Sequence, residues 1–199
     1  MDRHGMGSRI LVINGHPDPR HERFCWAIAA AYSAGAHESG RLVRRIDIGT
    51  LDFPLLRTME DFQSPAAPAE LKDAQTSIRW ADHLVIIHPL WLGGQPAMLR
   101  AFLEQVLRYG FALGAPNSAK PGGLLKGRSA HIIVTMGMPG LIFRLAFGAF
   151  GLRALERGVL WLCGFSPIRR TVLGGVDSVS DARRAAWLKT AYNLGSRGI

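Results

Sequence analysis

Leu84-Val85-Ile86-Ile87-His88-Pro89-Leu90-Trp91-Leu92-Gly93-Gly94-Gln95-Pro96-Ala97-Met98-Leu99 decides the fold. Its first four residues are uninterrupted aliphatic side chains with no polar alternation, the mark of a strand buried on both faces. From Pro96 the period changes. Leu99, Phe102, Leu103, Val106 and Leu107 fall on one stripe at helical spacing. Proline suits a helix start because the N–H it lacks has no partner there. A buried strand feeding an amphipathic helix is the building unit of a parallel sheet, since parallel strands need a crossover between them.

The same alternation runs outward in both directions. Arg9-Ile10-Leu11-Val12-Ile13-Asn14 reads as a strand, followed by Phe24, Ala27, Ile28 and Ala31 at helical intervals. Leu42 to Ile48 is a weaker strand. A Pro-rich surface connection through Phe53-Pro54 and Ser64 to Pro68 leads to a helix marked by Leu71, Ala74, Ile78 and Ala81. Beyond the central unit, Ala130 to Thr135 is another buried strand. Leu141 to Phe165 is apolar but broken by Gly148, Gly151 and Gly158 and carries Arg144, Arg153, Glu156 and Arg157, so it reads as helical. Ile168 to Leu173 is a fifth strand, and Ser178-Val179-Ser180-Asp181 has capping-box spacing ahead of a last helix with Ala185, Leu188 and Tyr192. Strand and helix alternate five times. The expectation is an α/β domain over residues 9–199, a five-stranded parallel sheet with helices on both faces and right-handed crossovers. Residues 1–8 read as a flexible N-terminal arm.

Composition narrows the function. With 199 residues and 48% apolar content the chain can build one full core. No uncharged stretch reaches the roughly 18 residues a spanning helix needs, and no apolar run behind Met1 to Ser8 suggests a signal peptide. A cytoplasmic protein without an integral membrane segment is expected. Two cysteines, Cys25 and Cys163, exclude a disulfide framework and read as buried thiols. Lysine plus arginine number 24 against 15 acidic residues, a net charge of +9 that favours anionic partners. The basic residues come as scattered pairs without aromatic interleaving, so nucleic acid is not the expected partner. A metal site would have to rest on His16 and His21 without a carboxylate cluster, and none is expected.

In wound parallel sheets, ligands bind beyond the carboxyl ends of the strands. Three segments occupy that edge. His16-Pro17-Asp18-Pro19-Arg20-His21-Glu22-Arg23-Phe24 feeds a helix N-terminus, whose free N–H groups attract anions; a solvated, proline-bent turn is the plain alternative. Pro89 to Gln95 places an aromatic beside two glycines, a flat surface next to backbone that something planar can approach, unless Trp91 is a core residue. Thr135-Met136-Gly137-Met138-Pro139-Gly140 offers small residues and backbone amides. There is no Gly-x-Gly-x-x-Gly, no Walker sequence and no Gly-x-Ser-x-Gly. Two flat loops beside an anion loop suit a planar ring carrying a phosphate, and a flavin fits that description.

The strand running into His16-Pro17-Asp18-Pro19 with Phe24, the stretch Pro89 to Leu99 followed by Phe102 and Val106, and Val134-Thr135-Met136-Gly137 together resemble the flavodoxin-like NAD(P)H:quinone reductase family. That is the group of DT-diaphorase, the bacterial drug-activity modulators and the potassium-efflux ancillary oxidoreductases. The likeness runs from about Arg9 to about Leu173 and is most specific in the middle motif. It implies a flavodoxin-like three-layer sandwich, a tightly held FAD or FMN, NAD(P)H as co-substrate, a quinone-like acceptor and a homodimer with the flavin near the subunit interface. By resemblance the phosphate loop is His16, Arg20, His21, Arg23 and Phe24. Pro89, Leu90, Trp91, Leu92 and Gly93 would lie along the ring, and Thr135, Met136, Gly137 and Met138 at its polar edge. The acceptor pocket would take Trp91, Met138, Phe143 and Phe150.

One departure bears on mechanism. Some quinone reductases place a tyrosine and a histidine over the flavin after the Thr-x-Gly turn, whereas no tyrosine or histidine stands between His131 and Tyr192 here. The chemistry would then be carried by the flavin, with His16 and His21 at the phosphate end away from the ring and a reduction rate that varies little between about pH 6 and 8. Two other readings are a regulatory flavoprotein docked on a membrane transporter, and a one-electron carrier, which the basic charge suits poorly. Leu141, Ile142, Phe143, Leu145, Phe147 and Phe150 are more apolar residues than one helix face can bury, which points to a dimer surface.

Overall fold

The computed structural model describes residues 8–115, 122–145 and 148–199. The N-terminal arm, apart from Ser8, and Phe147 of the apolar cluster lie outside them. The strands are β1 (Arg9–Asn14), β2 (Leu42–Asp47), β3 (His83–Pro89), β4 (Ser129–Met136) and β5 (Ile168–Gly174). They form one parallel sheet in the order β2-β1-β3-β4-β5. The helices are α1 (Phe24–Glu38), α2 (Met59–Gln63), α3 (Lys72–Trp80), α4 (Ala97–Val106), α5 (Gly140–Leu145), α6 (Phe150–Arg153) and α7 (Asp181–Arg197), with α6 running on as a π-helix over Ala154–Trp161. The fold is the flavodoxin-like α/β sandwich expected from the sequence.

Position in the sheet explains the sequence of each strand. β3 sits at the centre, and every residue from His83 to Pro89 is buried; hence its unbroken aliphatic run. β2 is an edge strand and alternates exposed with half-buried residues over its first half. On one face Leu11, Ile13, Leu84 and Ile86 meet Leu99, Phe102 and Phe143. On the other, Ile10, Val12, Val85, Ile87 and Ile133 meet Ile28, Tyr32, Ala191 and Leu194 of α1 and α7. Both cysteines are buried thiols, as expected.

Two terminal details differ from the sequence expectation. The N-cap of α7 is Ser180, whose hydroxyl accepts the Arg183 N–H at 3.3 Å, rather than Ser178. Ser178 instead closes the preceding turn, its hydroxyl donating to the Gly175 carbonyl at 3.2 Å. Pro96 stands one residue before α4, with extended backbone (φ −55°, ψ 146°), because it must first turn the chain out of the loop.

The topology fixes where a ligand can enter. From β1 the chain moves to β2 on one side and then crosses to β3 on the other. The loops after β1 and β3 therefore diverge at their carboxyl ends and leave a crevice between them.

Candidate functional site

That crevice is a cleft of about 480 Å³, within the range of small-molecule cofactor sites. From the loop after β1 and the first turn of α1 it takes His16, Glu22, Arg23, Phe24, Cys25 and Ala27. Pro89, Leu90 and Trp91 come from the loop after β3, and Thr135, Met136 and Gly137 from the end of β4. A fourth segment, absent from the sequence expectation, closes it: Val176 and Asp177 after β5, with Arg184 from the first turns of α7.

The segments are stitched to one another. Leu90 donates its N–H to the Thr135 carbonyl at 2.7 Å, and Val176 and Gly175 donate to the carbonyls of Met136 and Met138, both at 3.0 Å. The Asp177 carboxylate lies where a side chain on Gly137 would have to be. This explains the glycine, and it shows why the fourth loop comes into the site. The signal for it was the Gly174-Gly175 pair at a strand end, the same punctuation that marks the loop after β3.

One end of the cleft favours anions. No side chain caps α1, and no acidic residue lies in its first turn; the Trp26 N–H bonds back to the Arg23 carbonyl at 2.9 Å, and the positive end of the helix dipole is left for a ligand. Arg23 is held by Asp18 at 2.5 Å. Arg184 is tied to the Val176 carbonyl by an N–H bond of 2.7 Å, its guanidinium 5.9 Å from the centre of the Phe24 ring. The backbone N–H of Arg20, together with the Arg20 guanidinium, holds the Asp18 carboxyl below the usual carboxylate range. His16 accepts the Asp18 N–H on Nδ1 at 3.0 Å, which leaves the proton on Nε2. Burial lowers the His16 pKa from its ordinary 6.5, keeping the ring neutral.

The other side carries Trp91, with the buried Cys25 also in the lining and the buried His88 close to it in the chain. Trp91, half exposed, meets the edge of His16 with ring centres 5.9 Å apart. His16 therefore stands beside the aromatic loop. Cys25 Sγ lies 3.5 Å from Thr135 Oγ1, and burial pushes its thiol up to about 11, so it stays protonated. His88, just behind Pro89, is buried, held neutral by burial with a pKa of about 4, and paired through Nδ1 with the Pro89 carbonyl at 2.8 Å.

Several expected site residues stand elsewhere. Arg20 is exposed and occupied by Asp18 at 2.7 Å. His21 stacks on Trp26 with ring centres 4.2 Å apart. Leu92 and Gly93 form the tip of a hairpin, with Leu92 in solvent. Met138 packs half-buried on the core. Phe143 is 1% exposed inside the core, while Phe150 is 72% exposed; neither is among the residues that line the cleft. One ring is buried and the other exposed, a distinction that a run of apolar residues does not show.

The model of a family described as having a flavodoxin-like fold matches residues 8–194. An uncharacterised NAD(P)H oxidoreductase of Haemophilus influenzae is 26% identical over 189 residues, spanning 91% of this chain and 91% of that protein. The human ribosyldihydronicotinamide dehydrogenase [quinone] is 29% identical over 208 residues, spanning 91% of this chain and 89% of its own. In fold, the chain is similar to the NAD(P)H:quinone oxidoreductase of Methanothermobacter marburgensis, with a TM-score of 0.81 at 21% identity, covering 97% of this chain and all of that one.

Proposed function

The chain belongs to the family of flavodoxin-like fold whose model spans residues 8–194, and on that premise we propose that it is a flavin-dependent NAD(P)H oxidoreductase reducing a quinone or similar planar acceptor. The observation that carries this reading is a cleft in which an uncapped helix N-terminus, Arg23 and Arg184 supply donors for an anion, with Glu22 and Asp177 also in the lining, and Trp91 forms a flat wall. Its size and donors fit a planar ring with a phosphate tail, and FMN and FAD share that part. Relatives named for NAD(P)H oxidation and quinone reduction support the substrate classes, and the cytoplasm, rich in reduced nicotinamides, is the setting proposed.

Bound there, a flavin supplies the redox chemistry, taking a hydride from a reduced nicotinamide and giving electrons to the acceptor. The protein's part is to bind and orient. Arg184, Arg23 and the N-terminus of α1 would hold the phosphate, and His16, beside Trp91, carries its proton on Nε2. The tie between Leu90 N–H and Thr135 O fixes the spacing of the two loops that would flank the ring. Purified protein is expected to show visible flavin absorption, and mass analysis of the released cofactor decides between FMN and FAD. Failure to take up either at micromolar concentration would sink the proposal.

The lining also sets the pH response. His16 is the histidine of the cleft, and its lowered pKa keeps it neutral above the ordinary 6.5. Protonating Nδ1 would break its bond to the Asp18 N–H, so loss belongs on the acid side only. The rate at which NAD(P)H bleaches the bound flavin is expected to be nearly flat from about pH 6.5 to 8. A histidine-like step inside that window, removed by His16→Asn with flavin still bound, would make His16 a catalytic group.

The apolar surface suits a second copy of the chain. Leu141, Ile142, Leu145 and Phe150 are exposed, as are Trp91 and Leu92, and the backbones of the two segments meet at Gly151 and Gly93–Gly94. The proposed homodimer buries these side chains, and a monomer in sedimentation at tens of micromolar would exclude it.

A further inference from the structure

Trp91 is carried to the cleft on a two-residue hairpin. Its N–H donates to the Gly94 carbonyl at 2.9 Å, and the Gly94 N–H returns to the Trp91 carbonyl at 3.0 Å. The two tip residues are both left-handed, Leu92 at φ 47° and Gly93 at φ 80°. So short a hairpin is marginal on its own in water. What supports it is α6. A Cβ on Gly151 would overlap the Gly93 carbonyl oxygen and stand 2.6 Å from Gly94 Cα. The backbone of the hairpin therefore rests directly on the helix, and the space exists only because residue 151 has no side chain.

The helix is aimed there by a second left-handed pair, Gly148 at φ 56° and Ala149 at φ 50°. Ala149 is buried, and its N–H donates to the Phe143 carbonyl at 3.2 Å while its carbonyl accepts the Arg153 N–H at 3.0 Å. Leu92 and Ala149 are the two non-glycine residues with positive φ among the described residues, and they flank this one contact from opposite sides. Such conformations persist only where surrounding structure holds them.

We propose that Gly151 is a positioning residue: by admitting the Gly93–Gly94 backbone against α6 it fixes where Trp91 stands in the cleft. The proposal rests on the flavin reading above. A side chain at 151 cannot be relieved by turning another side chain, because what it meets is backbone. The hairpin must move, and Trp91 with it.

The test compares Gly151→Ala with Gly158→Ala, the same change further along the same helical segment, where a Cβ meets nothing within 4 Å. Folding is followed by circular dichroism, and the affinity for FMN and for FAD by quenching of flavin fluorescence. Gly151→Ala is expected to fold, to weaken flavin binding by about tenfold or more and to alter the visible dichroism of the bound flavin; Gly158→Ala should do neither. In a Trp91→Ala background, Gly151→Ala should add less than about twofold, since it acts through Trp91. A folded Gly151→Ala protein that binds flavin like the parent, or effects that are equal with and without Trp91, overturns the proposal. Should Gly151→Ala not fold, Leu92→Asn decides. Asparagine tolerates the left-handed conformation, so it relieves the hairpin tip and should tighten flavin binding, measured at a dilution where the proposed dimer, which also buries Leu92, is dissociated for parent and variant alike; unchanged or weaker binding there overturns the proposal. A parent protein that takes up neither FMN nor FAD refutes the flavin reading itself, a result readily told apart from a silent Gly151→Ala.

Discussion

Replacing Phe143 by alanine is expected to destabilise the protein by about 3–5 kcal/mol, the usual cost of emptying a buried aromatic site. The ring is 1% exposed in the core layer with Leu84, Ile86, Leu99 and Phe102. Its carbonyl also accepts the N–H of left-handed Ala149 at 3.2 Å, so the turn into α6 hangs from the same residue. For a domain of this length the melting temperature should fall by about 6–20 °C. Phe150→Ala is the matching control. With its side chain 72% exposed, it should change the stability of dilute protein by no more than about 0.5 kcal/mol, and in the proposed dimer it should instead weaken association. Thermal and denaturant unfolding separate the two. If Phe143→Ala left stability within about 1 kcal/mol of the parent and raised KM for the acceptor, Phe143 would belong to the cleft after all.

Arg184→Gln is expected to weaken flavin binding by about 1.5–3 kcal/mol, roughly ten- to 150-fold, the value of a charge-assisted bond to a phosphate in a partly closed site. Arg184 lines the cleft and is held in place through the Val176 carbonyl at 2.7 Å, leaving the rest of its guanidinium for a ligand. Arg20→Ala should cost less than about twofold. The Arg20 side chain is 66% exposed and already committed to Asp18. Titration of flavin-free protein with FMN and with FAD measures both. Loss of affinity in Arg20→Ala with none in Arg184→Gln would put the phosphate at the outer turn of the first loop instead.

How far the sequence carried this account depends on the range of the interactions involved. β3 and α4 were legible because a strand buried on both faces needs an unbroken aliphatic run, and a helix lying on it needs one apolar stripe. The loops after β1, β3 and β4 followed from those strands, since a parallel sheet has one ligand-binding edge. The loop after β5 was not found, because its contribution depends on Gly137 meeting Asp177, a contact 40 residues apart in sequence that no local pattern records. Phe143 and Phe150 were read as neighbours of equal standing. Yet Phe143 is 1% exposed and Phe150 72% exposed, with the left-handed residues Gly148 and Ala149 standing before the second ring. Arg20 and Arg23 looked alike in sequence. Asp18 binds both, yet only Arg23, the residue just before α1, reaches the cleft.

The central claim is that this cleft holds a flavin that a nicotinamide reduces and a quinone reoxidises. The direct measurement is anaerobic: purified protein, loaded with its flavin, is mixed with NADH or NADPH, and then with a soluble quinone. The account predicts that the visible absorption bleaches with one equivalent of at least one nicotinamide and returns on addition of the quinone. Protein with bound flavin whose spectrum neither nicotinamide moves, or whose bleached spectrum no quinone restores, would contradict it.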